Sequence, residues 1–136
     1  MRRTFVASTI AIALLAAGCT SGTSSSSEFE GEQKAVADVV EDLQSAGETG
    51  DAGKICTDII SSSLADEIKA AGASCEQELD KAIGDADDFD LTVEKVTVNG
   101  DTATAEVKGR EGDRDQVRTF EFERDGDSWR ATSFGS

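Results

Sequence analysis

Three cysteines carry the most reactive side chains of this sequence, and their positions set one apart from the other two. Cys19 ends an uncharged apolar run, whereas Cys56 and Cys75 lie in the middle of the chain. A thiol can be acylated, can pair with another thiol, or can bind a metal ion as a thiolate. Because the sequence has no histidine, Cys56 and Cys75 alone are too few ligands for zinc, and no metal site is expected.

The carboxylates are the second group of residues that could do chemistry. Residues 85–90 read Asp-Ala-Asp-Asp-Phe-Asp, which invites comparison with a calcium loop. An EF-hand loop needs glycine at its sixth position and an acid at its twelfth, and counting from Asp85 these are Asp90 and Val96. The pattern fails, so the segment is predicted to be an acidic helix end and loop, with a weak cation site as the alternative.

The sequence offers no recognisable catalytic group. It lacks histidine and tyrosine, and no serine stands in a Gly-x-Ser-x-Gly turn. No glycine-rich phosphate loop follows a predicted strand. Among the many Asp and Glu residues, no pair stands out by its spacing as a general acid and base. We therefore expect no catalytic residue and no cofactor.

Residues 1–19 combine the features of an export leader. Two arginines near the start are followed by an uncharged apolar run, which ends in Leu-Ala-Ala-Gly-Cys at residues 15–19. This segment resembles the lipobox of bacterial lipoproteins, although Ala16 stands where those proteins more often carry leucine. The resemblance implies that residues 1–18 are a signal peptide, and that Cys19 carries acyl chains such as palmitate and begins the mature chain. An ordinary secretory signal cleaved elsewhere is the alternative.

The residues after Cys19 predict a tether followed by one domain. Residues 20–27 contain only Ser, Thr and Gly, and this composition predicts a flexible tether over 19–31. The remaining residues, 32–136, are enough for a single domain. The acyl chains are then expected to anchor this domain to the extracytoplasmic side of the cell membrane.

The charge balance limits the partners. All 28 Asp and Glu follow Cys19, whereas two of the 13 Lys and Arg precede it, so the mature net charge is 11 − 28 = −17. Nucleic-acid binding depends on basic groups that neutralise phosphates, and this balance argues against it. The same charge repels anionic headgroups, so the acyl anchor is the expected contact with the membrane.

Hydrophobic spacing predicts helices in the first half of the domain. Residues 32–46 carry valines and a leucine on one stripe, and Gly47 is predicted to end that helix. A second helix carries Cys56, and a short third helix follows it. A capping box at 74–77 starts the helix that carries Cys75. Both cysteines lie beyond the membrane, where thiols oxidise, so a disulfide is predicted, with two buried thiols as the alternative.

In the second half of the domain the hydrophobic period changes to two, which predicts four strands. The phase slips between Val93 and Val96, which indicates a bulge. Asn-Gly at 99–100 and Asp-Gly at 125–126 are predicted as tight hairpins, with a longer loop over 109–115. Helices followed by strands predict an α+β fold, in which N-terminal helices pack on a curved four-strand antiparallel meander.

The order of elements and the C-terminal sequence resemble the nuclear transport factor two-like, or cystatin-like cone, superfamily. Small secreted bacterial members often end with a strand similar to Asp-Ser-Trp-Arg-Ala-Thr-Ser-Phe at 127–134. They also often carry a helical cysteine pair like Cys56 and Cys75, with an intervening helix that contains a leucine, here Leu64. The resemblance covers residues 32–134 and implies a cone-shaped pocket between a curved sheet and the helices.

The predicted pocket and the predicted function follow from that resemblance. We expect a non-catalytic binding or accessory lipoprotein, which presents its domain to an envelope protein or holds a small apolar ligand. The alternatives are a structural or stress-related surface protein without a ligand and, third, a small cone-fold enzyme. Trp129 could stack on a ligand, although a tryptophan at a strand position followed by Ala131 is more often a core residue. Its neighbour Arg130 is predicted to face solvent. The candidates for the pocket lining are Val93, Phe120, Phe122 and Trp129.

Overall fold

The computed structural model describes residues 26–86 and 88–135. The predicted leader, the lipobox and Cys19 lie outside the described residues. A single 3₁₀ turn, Ser26–Glu28, comes first and docks on the first helix, since the N–H of Ser26 donates to Glu41 Oε1 (2.6 Å). Ser26 is only 7 % exposed, and Phe29 packs against the core. These two residues, which their composition assigned to the tether, therefore contact the domain.

Helix α1, Gly31–Thr49, packs on the sheet and ends at Gly50, whose φ of 71° is left-handed. The predicted end at Gly47 is wrong, because Gly47 is a buried residue inside the helix. The ring of Phe89 lies against it, and a Cβ at this position would overlap that ring. The absence of a side chain at Gly47 thus serves packing rather than termination. The buried stripe of α1 includes Val36, Val40 and Leu43.

Three short helices follow α1. Helix α2, Ala52–Lys54, continues into a π-helical turn, Ile55–Ile59. Helix α3, Ser62–Ala70, and helix α4, Cys75–Asp85, each begin after a serine whose hydroxyl accepts a backbone N–H of the first turn. All residues of α3 and α4 are described, and none of them is fully buried. These two helices therefore lie at the periphery of the core.

A disulfide joins Cys56 in the π-helical turn to Cys75, the first residue of α4, with an S–S distance of 2.05 Å. The predicted pair is thereby confirmed. A cross-link that closes a loop of this length contributes about 3 kcal/mol to stability. α4 has no buried side chain, and beside the half-buried Leu79 and Ile83 the disulfide gives it a covalent attachment to the rest of the domain.

The sheet is an antiparallel meander in the order β1-β2-β3-β4. The predicted bulge is confirmed, because the pairing of β1 with β2 shifts between Val93 and Lys95. Helices followed by an open, four-stranded antiparallel sheet confirm the predicted α+β fold. The strands are Thr92–Asn99 for β1, Thr102–Glu111 for β2, Arg114–Asp125 for β3 and Ser128–Ser133 for β4.

All three hairpins turn at a Gly-Asp pair. Gly100, Gly112 and Gly126 have φ values of 61°, 61° and 63°, as two-residue hairpin turns with glycine at the first central position require. The two predicted tight hairpins are confirmed, although each turn is centred one residue later than predicted. The predicted longer loop over 109–115 is wrong, because β2 and β3 stay paired up to the turn at Gly112.

The core lies between α1, the π-helical turn and one face of the sheet. The edge of β4 is covered, since the N–H of Ser61 donates to Ala131 O (2.8 Å). Within the described residues, no helix has the length and apolar character that crossing a bilayer requires. The core includes Val36, Ile55, Ile59, Ile60, Val93, Val96, Val107, Phe120, Phe122 and Trp129.

Candidate functional site

A cavity of about 280 Å³ opens between the last turn of α4 and the β2–β3 hairpin. Leu91, Val107 and Phe120 form its apolar wall. An apolar wall with a few convergent polar groups is the usual composition of a small-molecule site. The polar rim consists of Asp85, Asp88, Arg110, Glu111, Gln116 and Arg118.

The β2–β3 hairpin forms one side of the cavity because it extends past its neighbours. β1 pairs with β2 only as far as Lys108, and β4 pairs with β3 only as far as Glu121. β2 and β3, in contrast, stay paired up to Glu111. The projecting end of the hairpin brings Arg110 and Arg118 to the rim.

The last turn of α4 forms the opposite side of the cavity, where Ala82, Asp85 and Ala86 line it. The position of this turn depends on the other end of the helix, which the Cys56–Cys75 disulfide holds. The disulfide thus contributes to the shape of the cavity without lining it.

Most of the charged groups on the rim are paired with one another. The guanidinium of Arg118 donates to Glu111 Oε2 at 2.8 Å. The guanidinium of Arg110 lies between two carboxylates: its Nη1 is 4.0 Å from Asp88 Oδ2, and its Nε is 3.9 Å from Asp115 Oδ1. The side chain of Asp85 makes no hydrogen bond or ion pair within residues 26–86 and 88–135. Each arginine of the rim thus has a carboxylate of the rim beside it, and the negative charge of Asp85 is left without a partner among them.

One of the four predicted lining residues reaches this cavity. Phe120 lines it and packs edge-on against Phe134, with ring centroids 5.3 Å apart. Val93 and Trp129 are 2 % and 3 % exposed and belong to the hydrophobic core. Phe122 is also a core residue, and it borders a second depression of about 300 Å³ over the β1–β2 turn and the middle of β3.

The polar rim was missed in the sequence, although one signal pointed to it. Gln116, Arg118 and Phe120 alternate along β3, and a period of two places such residues on the same face of a sheet. Assigning residues 109–115 to a loop hid this continuity. Asp85 and Asp88 belong to the acidic segment that was compared with a calcium loop, and the structure places both on the rim.

Trp129 has a structural role that ties α1 to the sheet. Its indole N–H donates to Glu32 Oε2 at 2.7 Å, and Arg124 donates to the same oxygen at 2.8 Å. The Arg124 guanidinium also lies 4.7 Å from the centroid of the Trp129 ring. The hydrogen bond from Trp129, together with that from Arg124, holds the pKa of Glu32 below its usual range. This cluster lies away from the residues that line the cavity.

Arg130 was predicted to face solvent, and its side chain is 24 % exposed, with its guanidinium held by two partners. Its guanidinium donates to the carbonyl oxygen of Thr57 at 2.6 Å and lies 3.1 Å from Asp125 Oδ2. Thr57 belongs to the π-helical turn, in which the N–H of Ile60 reaches back to Ile55 O. A π-helical turn replaces the usual hydrogen bond to the carbonyl four residues earlier by one to the carbonyl five residues earlier. Arg130 donates to one carbonyl of this turn, that of Thr57.

The described residues do not suggest a metal centre, since no three His, Cys, Asp or Glu side chains of 26–86 and 88–135 are grouped to hold an ion. The lining of the cavity offers apolar contact and charged groups. In comparisons with known proteins, no family model and no curated protein match this chain.

Proposed function

We propose that this protein is a lipid-anchored extracytoplasmic lipoprotein that binds a small ligand in the cavity between α4 and the β2–β3 hairpin. The observation that carries the binding role is the cavity itself, with its apolar wall and charged rim. The lipobox-like segment ending at Cys19 supports the anchored location. The role is non-catalytic, because the rim offers paired ions and one free carboxylate rather than an activated nucleophile or an acid–base pair.

The docking of Ser26 on α1 supports a short connection between the acyl chains and the domain. Residues 20–25 separate Cys19 from Ser26, and the span expected from their Ser, Thr and Gly composition is roughly 15 Å. A domain held this close to the bilayer samples ligands that leave or approach the membrane surface. The acidic surface disfavours contact with anionic headgroups, so the acyl chains supply the membrane affinity.

Native mass spectrometry tests the binding role. The full chain, released from membranes in mild detergent, is expected to retain a small molecule that dissociates on collisional activation. Ala82→Trp places an indole in the cavity wall, and we expect it to lower the retained fraction at least tenfold. Ala70→Trp, which changes an exposed alanine of α3 outside the cavity, is the matched control.

Equal retention by the Ala82→Trp and Ala70→Trp proteins would show that the ligand lies elsewhere. A chain that retains nothing, and whose stability does not change in the presence of a small-molecule extract of the envelope, would favour a surface protein without a ligand.

A further inference from the structure

We propose that the cavity takes a small organic cation, an ammonium group on an apolar body, with the ammonium beside Asp85. This inference rests on the proposed function, because it names the ligand class of the same cavity. Three features support it. Two belong to the described residues, namely the pairing of the rim charges and the direction of α4, and the third is the net charge of the sequence.

The rim charges leave a negative group free. Arg118 is bound to Glu111 at 2.8 Å, and Arg110 lies within 4.0 Å of Asp88. An anion would have to compete with these carboxylates for the arginines, and Asp85 would repel it. A cation, in contrast, meets a carboxylate that has no partner within the described chain.

The end of α4 adds to the negative potential at the same place. The last carbonyl groups of a helix lack intrahelical partners, and this end of the helix dipole favours cations. Asp85 is the last residue of α4, and Ala82 and Ala86 of the same turn line the cavity. A carboxylate at this end of a helix is unfavourable by itself, and a bound ammonium offsets both the carboxylate and the dipole.

The remaining features of the cavity define the rest of the ligand. The formal charge of the chain is −15, and a field of that sign raises the local concentration of cations. The half-buried Leu91, backed by the buried side chains of Val107 and Phe120, gives the body of the ligand an apolar contact. A cavity of about 280 Å³ suits a compact amine rather than a long chain.

Three probes of one shape and different charge test this inference: protonated benzylamine, benzyl alcohol and benzoate. The full chain is placed in nanodiscs of zwitterionic phosphatidylcholine, with ¹³C-labelled Leu and Val methyl groups. The methyl shifts of Leu91 and Val107 report on the cavity, and Val36 in the core serves as the reference. We expect benzylammonium to bind about fivefold more tightly than benzyl alcohol, with benzoate the weakest.

Substitution of the acid separates its charge from the shape of the cavity. Asp85→Asn is expected to abolish the preference for benzylammonium over benzyl alcohol. Asp80→Asn removes the same charge from an exposed position of α4 outside the cavity and is expected to preserve that preference.

The possible results separate the ligand class from the binding role. Benzoate binding as tightly as benzylammonium, or equal effects of Asp85→Asn and Asp80→Asn, would overturn the cation while leaving a ligand-binding cavity. Absence of any shift at Leu91 and Val107 with all three probes would overturn both the cation and the proposed function.

Discussion

Gly47 lies inside α1 at the point where the ring of Phe89 contacts the helix. A second contact nearby joins the same two segments, since the N–H of Leu91 donates to Gln44 Oε1 at 3.0 Å. Phe89 is flanked by Asp88, on the cavity rim, and lies two residues from Leu91, on its wall. The close approach at Gly47 therefore fixes the segment from which the cavity receives two of its lining residues.

A methyl group at Gly47 tests this packing. Gly47→Ala is expected to lower the free energy of unfolding by about 1–3 kcal/mol, because the added Cβ displaces the Phe89 ring. Gly84→Ala is the control, since its Cβ meets open space at a helical position and is expected to stabilise by about 0.5–1 kcal/mol. Urea unfolding of the two variants, each with and without Phe89→Ala, measures both effects. Stabilisation by Gly47→Ala in the presence of Phe89 would contradict the packing described here.

At the scale of elements, α4 differs from α1 in how it is attached. α1 buries a complete stripe of side chains, whereas α4 has half-buried side chains and the disulfide at its first residue. Local opening of a structure begins where few apolar groups are buried. Because the last turn of α4 is one side of the cavity, we expect the Cys56–Cys75 disulfide to support the shape of the cavity from a distance.

Removal of the disulfide is therefore expected to act locally as well as globally. The double variant Cys56→Ala/Cys75→Ala should be about 3 kcal/mol less stable. Deuterium uptake at 75–86 should rise well before unfolding, while uptake at 36–46 in α1 stays low. Hydrogen–deuterium exchange with peptide resolution measures this difference. Equal increases in both segments would show that α4 is held by its own packing and not by the disulfide.

The sequence predicts the elements better than the cavity, for reasons that particular residues make clear. Apolar residues at every second position indicate strands, and the Asn-Gly and Asp-Gly dipeptides indicate turns. Because these signals are local, the meander and the bulge after Val93 could be predicted. The cavity depends on how far the β2–β3 hairpin extends and on where α4 ends against it, and tertiary packing decides both. The strand position of Trp129 predicts a core residue, and the structure confirms this, whereas its hydrogen bond to Glu32 is a tertiary contact that the sequence does not indicate.

At the scale of the whole molecule, the chain combines an excess of acidic residues, a disulfide and a predicted acyl anchor. The disulfide accords with an oxidising compartment, as export through the leader implies. A negative net charge repels anionic lipid and raises the local concentration of cations. The proposed location presupposes that the signal peptide is cleaved before Cys19, whereas the proposed ligand site depends on the domain alone.

Intact-mass spectrometry of the full-length gene product recovered from membranes tests this location most directly. We expect a chain that begins at Cys19 and carries the added mass of a diacylglyceryl group, and we expect Cys19→Ser to leave the membrane fraction. A mature chain that begins at another residue, without any acyl mass, would contradict the anchored lipoprotein proposed here.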